Sequence, residues 1–354
     1  MRLLILVTAV IGASAALEAS TFTIGDLRSG QKEFSVVEPK VVIDIHVAAE
    51  QKTNFAEYVQ VEVGNGLKTP LDKYLTNGLT GYIHDQTYVK FSLTQTNVIT
   101  DIHARSIVFY IVNLPADKKV LPSVYSQNDL SSLSKHVLVN ENNPIVLLLP
   151  YDFGLKGALI ESVNVTSGDS IQVQKLISLT PVPLFNVTKA TSSQWKNVDV
   201  YGEVVLIQPS VGTLASVALK KGKKLDWTNY AKDVEVNDMG MIMTPDYGNK
   251  DTDGDSLVVF LYSKTKANVK FILEPVSVDV SLGVLTVKHG DDVVDYVSKN
   301  TTIFPNTIES TKVKIFYNSV KGNSGLLMRY RIDKGCASVS ALLATVFAVL
   351  HLLF

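Results

Sequence analysis

Alternation of hydrophobic and polar positions is the dominant pattern along this chain. Apolar and polar side chains alternate strictly at residues 59–63 and 88–93, and residues 313–317 behave similarly, which is typical of half-buried β-strands. Denser apolar runs at residues 106–112 and 257–262 favour strands buried on both faces. Clusters of Asn, Asp, Gly and Pro separate these segments and indicate turns.

Helical periodicity is rare by comparison. Short helical turns are expected only near residues 71–75, 126–134 and 226–232. Many short strands with regular turn signals indicate an all-β fold with few short helices. We therefore predict tandem antiparallel β-sandwich modules of a jelly-roll-like kind.

A weak internal repeat suggests the number of modules. Each third of the chain has a strand of the Val-x-Val type, beginning at Val61, Val163 and Leu285, and ends in an apolar closing strand at residues 106–112, 214–219 or 326–332. Such self-similarity is typical of tandem units. The repeat predicts modules at residues 21–115, 135–222 and 236–332, with linkers in 113–135 and 222–237. Two larger domains are the alternative.

The N-terminal segment has the three regions of a secretory signal. Met1 and Arg2 precede an apolar run at residues 3–11, and Ala13-Ser14-Ala15 follows as a small-residue cleavage site. The run is shorter than the roughly 20 residues that a spanning helix needs. We expect a signal peptide at residues 1–16, the alternative being a buried strand or helix.

The C-terminal segment, residues 336–354, resembles a signal for a glycosylphosphatidylinositol (GPI) anchor. An apolar tail follows the small residues Gly335, Cys336 and Ala337, as such a signal requires. The Lys or Arg that normally follows a transmembrane helix is missing from the tail. Attachment at Asn323 or Ser324 would give a longer spacer but remove a predicted strand, so we favour Gly335–Ala337. An uncleaved anchor helix and a core element are the alternatives.

Composition narrows the functional classes. The formal net charge is −1, so no strong field attracts nucleic acid. The single cysteine, Cys336, lies in or beside the removable tail, which excludes a zinc–thiolate site and a cysteine nucleophile from the mature protein. Three Asn-x-Thr sequons, at Asn164, Asn186 and Asn300, are candidate glycosylation sites in a secreted chain.

Four segments within residues 239–332 resemble a known domain family. The segments that carry the resemblance are 240–247 (GMIMTPDY), 271–274 (FILE), 283–290 (GVLTVKHG) and 325–332. Together with the two terminal signals, they make the chain similar to the degenerate, cysteine-less CUB-like surface proteins of nematodes. That resemblance implies CUB-like modules without enzymatic activity and a link to innate defence. The usual CUB cysteines are absent, and Gly283 stands where many CUB domains have a calcium-binding aspartate.

Motifs for catalysis or cofactor binding are missing from the sequence. The six histidines lack zinc-site spacing, and no nucleophile elbow, dinucleotide fingerprint or P-loop occurs. Asp251, Asp253 and Asp255 alternate as calcium ligands can, but Ser256 and Tyr262 break the EF-hand pattern, so a solvated turn is favoured over a loose metal site. No cofactor is expected.

These observations favour an extracellular, GPI-anchored adhesion or recognition protein over an enzyme. Its expected partners are an unknown protein or carbohydrate ligand and, through the lipid anchor, the membrane. Aromatic residues are candidates for the ligand contact or, alternatively, for core packing: Trp195, Trp227, Tyr230 and Tyr247. A secreted hydrolase on a β-sandwich and a structural matrix or cuticle component are the alternative functions.

Overall fold

The computed structural model describes most of the chain between residues 19 and 335. The described residues are 19–35, 41–50, 54–64, 66–77, 80–85, 88–100, 103–115, 122–150, 156–177, 180–224, 230–244, 247–248, 256–278, 283–289, 292–296, 307–320, 322 and 325–335. The predicted signal peptide and the C-terminal segment 336–354 lie outside them.

The part of the first sandwich that the structure describes has nine antiparallel strands. These are β1 (Ala19–Thr23), β2 (Lys32–Ser35), β3 (Val41–Ala49), β4 (Val59–Val63), β5 (Leu67–Pro70), β6 (Leu75–Thr76), β7 (Thr80–Asp85), β8 (Tyr88–Leu93) and β9 (Ile107–Pro115). One sheet has the order β1-β9-β3-β7-β6 and the other β2-β8-β4-β5. Short 3₁₀-helices span Ile24–Ser29, Asn54–Tyr58, Leu71–Lys73 and Thr96–Val98.

Aromatic side chains fill the space between the two sheets of the first sandwich. The ring of Phe22 stacks on Phe109 at 4.2 Å between centroids, and Phe91 meets Phe109 edge-on at 5.1 Å. All three side chains are buried. Because the described strands of this sandwich contain no cysteine, burial of large apolar side chains replaces disulfides as the source of stability.

The second sandwich also has nine strands among the described residues. They are β10 (Ser123–Ser126), β11 (Lys135–Asn140), β12 (Ile145–Leu148), β13 (Lys156–Ser167), β14 (Ser170–Ile177), β15 (Thr180–Thr188), β16 (Lys196–Val200), β17 (Val204–Pro209) and β18 (Leu214–Lys224). The sheet orders are β10-β12-β17-β14-β15 and β11-β18-β13-β16. One 3₁₀-helix spans Gln127–Asp129.

The third sandwich follows the same plan. Its strands are β19 (Tyr230–Val234), β20 (Met239–Met243), β21 (Ser256–Ser263), β22 (Val269–Val278), β23 (Gly283–His289), β24 (Asp292–Tyr296), β25 (Thr307–Ser310), β26 (Lys312–Ser319) and β27 (Leu326–Lys334). They form sheets of order β19-β21-β26-β23-β24 and β20-β27-β22-β25. Adding nine to every strand number of the second sandwich reproduces the third.

The first sandwich has the same topology with two changes. It has no described counterpart of β10, and β6 extends one of its sheets. Among the described strands, all strand pairings are antiparallel except β10–β12 and β19–β21, which are parallel. The predicted all-β fold of tandem, largely antiparallel sandwiches with few short helices is confirmed.

Two details of the sequence interpretation are corrected by the topology. The counterpart of β4 and β23 is β14, which contains Ile171 and Val173, whereas Val163 and Val165 lie in β13. Both strands alternate with the same period, so the pattern alone could not separate them. Strands β10 and β19 lie in segments that were expected to be linkers, and β19 occupies part of an expected helical turn.

The three sandwiches are packed against one another. A hydrophobic cluster joins the first two and contains Ala48, Val108, Tyr110, Val112, Val146, Leu148 and Val204. The cores of the second and third sandwiches belong to one continuous cluster. There, the Arg329 guanidinium donates hydrogen bonds of 3.3 and 3.0 Å to the Leu184 carbonyl.

Candidate functional site

Two of the three predicted glycosylation sites are accessible on strands. Asn164 on β13 and Asn186 on β15 are both exposed, and each precedes a buried valine, Val165 or Val187. The strand period of two therefore directs both asparagine side chains to solvent. Asn300 lies outside the described residues.

The other predicted sites fall at the limits of the described chain. Gly335 directly follows β27, and a Cβ atom there would lie 2.3 Å from the Asn268 carbonyl oxygen, so this glycine is packed tightly against a neighbouring loop. Two sets of predicted residues lie outside the described part: the anchor residues Cys336 and Ala337, and the weak metal candidates Asp251, Asp253 and Asp255. Among the described residues, no group of three His, Cys, Asp or Glu could hold a metal ion.

The aromatic residues considered for ligand contact are mostly internal. Trp195 is buried and stacks on Phe185 at 4.3 Å between ring centroids. Tyr247 is also buried, and the half-buried Tyr230 donates its hydroxyl hydrogen to Asp199. The suggestion that Trp195 or Tyr247 contacts a ligand is therefore wrong, and the alternative is confirmed: both rings are packed in the core. Trp227 lies outside the described residues.

A different aromatic surface lies on the outer side of the third sandwich. We call it the lysine–aromatic face, and it consists of Phe260 and Tyr262 on β21, Lys288 on β23, and Lys314 and Phe316 on β26. These residues alternate with buried neighbours on the same strands. Because successive side chains of a strand point to opposite sides of the sheet, all five lie on one side.

The rings and ammonium groups of this face are in direct contact. Phe260 and Tyr262 are nearly parallel, with centroids 6.0 Å apart and an interplanar angle of 5°. The Lys314 Nζ lies 4.4 Å from the Phe260 centroid and 4.2 Å from that of Phe316. The Lys288 Nζ lies 5.5 Å from the Phe316 centroid. These distances are within the range of cation–π attraction, which holds the lysines over the rings.

The apolar run at residues 257–262 predicted a strand buried on both sides, so this face was not expected from the sequence. The structure buries Leu257, Val259 and Leu261 but leaves Phe260 partly accessible and Tyr262 38% exposed. An apolar run does not distinguish an open face with aromatic residues from a buried one. The useful signal was the lysine at every second position of the partner strand, at Lys312 and Lys314.

A second polar cluster lies on the first sandwich, at the edge of its contact with the second. The Asp44 carboxylate is buried, and its Oδ1 lies 2.6 Å from the His84 Nδ1. The rings of His46 and Tyr82 are 5.1 Å apart. Burial lowers the pKa of His46, and the opposing influence of Asp44 is smaller. His46 borders a groove of about 290 Å³ between the two sandwiches, which Tyr125 and Lys135 also line.

A charged cluster connects all three sandwiches. The Arg105 Nε lies 3.0 Å from Glu203 Oε1, and the Lys175 Nζ lies 3.8 Å from Glu203 Oε2. Lys175 also donates a hydrogen bond of 3.2 Å to the Tyr247 carbonyl of the third sandwich. Burial raises the pKa of Glu203, but Lys175 and Arg105 outweigh it and hold this pKa below its ordinary value. The arrangement indicates a structural junction.

Comparisons with known proteins leave the family of the chain unassigned. No family model and no curated protein matches it. Among solved structures, the Ca²⁺-bound MASP-1 CUB2 domain is 18% identical with a TM-score of 0.21, covering 29% of this chain and 96% of that one. The CUB1-EGF-CUB2 domains of rat MASP-1 are 11% identical with a TM-score of 0.21, covering 60% of this chain and 100% of that one.

A DUF4785 family protein from Legionella pneumophila is 9% identical with a TM-score of 0.20, covering 90% of this chain and 79% of that one. Such TM-scores are too low to support an inference, and the fold class rests on the sheet topology described above. Within the described part of the chain, no helix is long and apolar enough to cross a membrane.

Proposed function

We propose that the chain is a glycosylated cell-surface protein that binds a protein or carbohydrate ligand without catalysing a reaction. Its N-terminal segment directs secretion, and its C-terminal segment is replaced by a GPI anchor at Gly335, Cys336 or Ala337. The resemblance of residues 239–332 to CUB-like surface proteins extends this proposal to recognition in innate defence. The three sandwiches are then three modules of one ectodomain.

The observation that carries the binding function is the lysine–aromatic face. In the second sandwich, the corresponding outer face includes Val146, Leu148 and Val204 and is covered by the first sandwich. In the third sandwich, the equivalent strands present aromatic rings and ammonium groups to solvent. Aromatic residues are enriched at interaction surfaces relative to the rest of a protein surface.

The alternative function, a hydrolase, would use the Asp44–His84 pair. This pair supports a hydrolase less than the lysine–aromatic face supports a binding protein. A general base needs a nucleophile or a water-activating metal within reach. The His84 ring contacts the Asp44 carboxylate, and its Nδ1 lies 3.5 Å from the Tyr82 hydroxyl. Engagement of Nδ1 by a carboxylate is also found in catalytic histidines, but within the described part of the chain no serine, threonine or cysteine side chain is hydrogen-bonded to this ring. We favour a structural role for this cluster at the edge of the contact between sandwiches.

Glycosylation of the expressed chain tests the extracellular part of the proposal. We expect the full chain, produced in secretory cells, to lose apparent mass when treated with a peptide-N-glycosidase. Asn164→Gln and Asn186→Gln should each reduce this loss of mass by the mass of one glycan. Asn97→Gln is a matched control because Asn97 is exposed and followed by Val98, but lacks the threonine of a sequon. A chain with no glycan at any of the three sequons would contradict this part.

A further inference from the structure

We propose that the lysine–aromatic face binds an anionic polysaccharide, a chain of sugars carrying sulfate or carboxylate groups. This inference rests on the proposed function, since it names the ligand class of the same surface. The face combines two features that such a ligand requires, namely clustered ammonium groups and flat apolar rings beside them.

The charges of the face are concentrated although the whole chain is nearly neutral. Lys314 pairs directly with Lys288 across β26 and β23, and Lys312 lies two residues before Lys314 on the same side of β26. Like charges directly opposite each other destabilise a sheet. Among the described side chains on this side of the sheet, Asp233, which pairs with Tyr262 at the edge, is the only acidic one. An anionic ligand would relieve the repulsion between the lysines.

The rings give the face a direction. Phe260 and Tyr262 follow each other along β21, and Phe316 lies on β26 beyond Lys314. Lys314 lies between Phe260 and Phe316, within 4.4 Å of both ring centroids. Neighbouring strands are roughly 4.7–4.9 Å apart, so the paired lysines hold two positive charges side by side. An extended chain with regularly spaced anionic groups matches this arrangement better than a single small anion does.

The chemistry of the face disfavours a second copy of the chain as its occupant. The surface by which the first sandwich covers the second is apolar at Ala48, Val108 and Val112. Docking a similar surface on the third sandwich would remove Lys288 and Lys314 from water without a counter-charge, which is costly. A polyanion supplies the counter-charge and leaves the rings available for stacking against the apolar faces of sugars.

Binding to immobilised heparin, used as the sulfated probe, tests the proposal. The full chain, purified from secretory cells in mild detergent, should bind heparin but not neutral dextran. Binding should weaken as salt is raised, because salt screens exposed charges. Lys288→Glu with Lys314→Glu should weaken binding at least tenfold, and Lys189→Glu with Lys221→Glu, which reverses two exposed lysines elsewhere, should not.

A separate variant tests the contribution of the aromatic rings to heparin binding. Tyr262→Ala should weaken heparin binding severalfold while leaving the salt dependence unchanged, because it removes ring contact but no charge. Thermal unfolding of each variant at the wild-type temperature shows that the fold is kept.

Three results would overturn the proposal. One is equal retention of both double variants on heparin. Another is equally tight binding of an oligonucleotide of the same charge, which shows a preference for any polyanion. The third is self-association through the face, detected by sedimentation and abolished by Lys314→Glu. None of these results bears on glycosylation or surface display, so the proposed cell-surface location is tested separately.

Discussion

Arg105 of the first sandwich and Glu203 of the second form an ion pair, with 3.0 Å between Nε and Oε1. Only 19% and 15% of the two side chains are exposed, so water screens the pair weakly. The other carboxylate oxygen of Glu203 faces Lys175, which is 1% exposed. One carboxylate therefore serves two cations, and the junction between the sandwiches depends on it.

Replacing this carboxylate should be strongly destabilising. Glu203→Gln removes the negative charge that faces the buried Lys175 ammonium, and removing one partner of a buried pair typically costs about 3–5 kcal/mol. Urea unfolding of the full chain measures the loss. Glu235→Gln is the control, because its ion pair with Lys264 is exposed and should contribute no more than about 1 kcal/mol. Equal losses for the two variants would show that the junction does not depend on Glu203.

Mild acid should destabilise the fold through His46. Its folded pKa is lowered by burial, with Asp44 opposing, so the unfolded state, with a pKa of about 6.5, takes up the proton first as the pH falls. The contribution of neutral His46 to the free energy of unfolding is therefore fully present above about pH 6.5. It decreases as the pH falls from there toward the folded pKa. The groups around His46 are Asp44, Tyr82 and Tyr110.

The measurement is the unfolding free energy of the wild type and of His46→Phe between pH 7 and pH 5. The variant should have a shallower pH dependence in this range. His136→Gln removes an exposed histidine and controls for the loss of any imidazole. A His46→Phe curve parallel to that of the wild type would contradict the assignment.

Gly240 should not accept a side chain. A Cβ atom at this position would lie 2.2 Å from both the Cζ and the hydroxyl oxygen of Tyr330, whose side chain is buried and has little room to move. Gly240→Ala should therefore cost about 1–3 kcal/mol, as overpacking of a core does. Gly66→Ala meets no atom within 4 Å, so only its positive φ of 76° should matter, at about 1–2 kcal/mol. A Gly240→Ala variant as stable as the wild type would refute the close packing.

Removing a core aromatic ring should reduce stability much more than removing a ring of the lysine–aromatic face. Phe109→Ala removes a buried ring that stacks on Phe22 and should cost about 3–5 kcal/mol. Tyr262→Ala removes a ring that is 38% exposed and should change stability by less than about 0.5 kcal/mol. Urea unfolding compares the two. A larger loss for Tyr262→Ala would show that the lysine–aromatic face is part of the core.

The alternation of polar and apolar residues was sufficient to predict much of the fold. Closing strands such as β9 and β27 were recognised because their apolar runs are bounded by turn residues. The edge strands β10 and β19 were missed because they are short and pair in parallel at the margin of a sheet. Local sequence contains no signal for a partner strand that follows later in the chain.

The candidate site was harder to predict for the same physical reason. Phe260 and Lys314 face each other only because β21 and β26 pair in one register, and that register is a property of the whole sandwich. Likewise, Arg105 and Glu203 meet only after two sandwiches dock. The candidate glycosylation sites Asn164 and Asn186 needed only their own tripeptides to be predicted, and both asparagines are exposed on strands, as the period of two requires.

Release of the protein from intact cells tests the central claim, a lipid-anchored protein of the cell surface, most directly. The full chain is expressed in cells and labelled at the surface, and the cells are treated with a phosphatidylinositol-specific phospholipase. We predict that the labelled protein moves into the medium. Retention of the labelled protein on the cells, while a known GPI-anchored protein in the same sample is released, would contradict the claim.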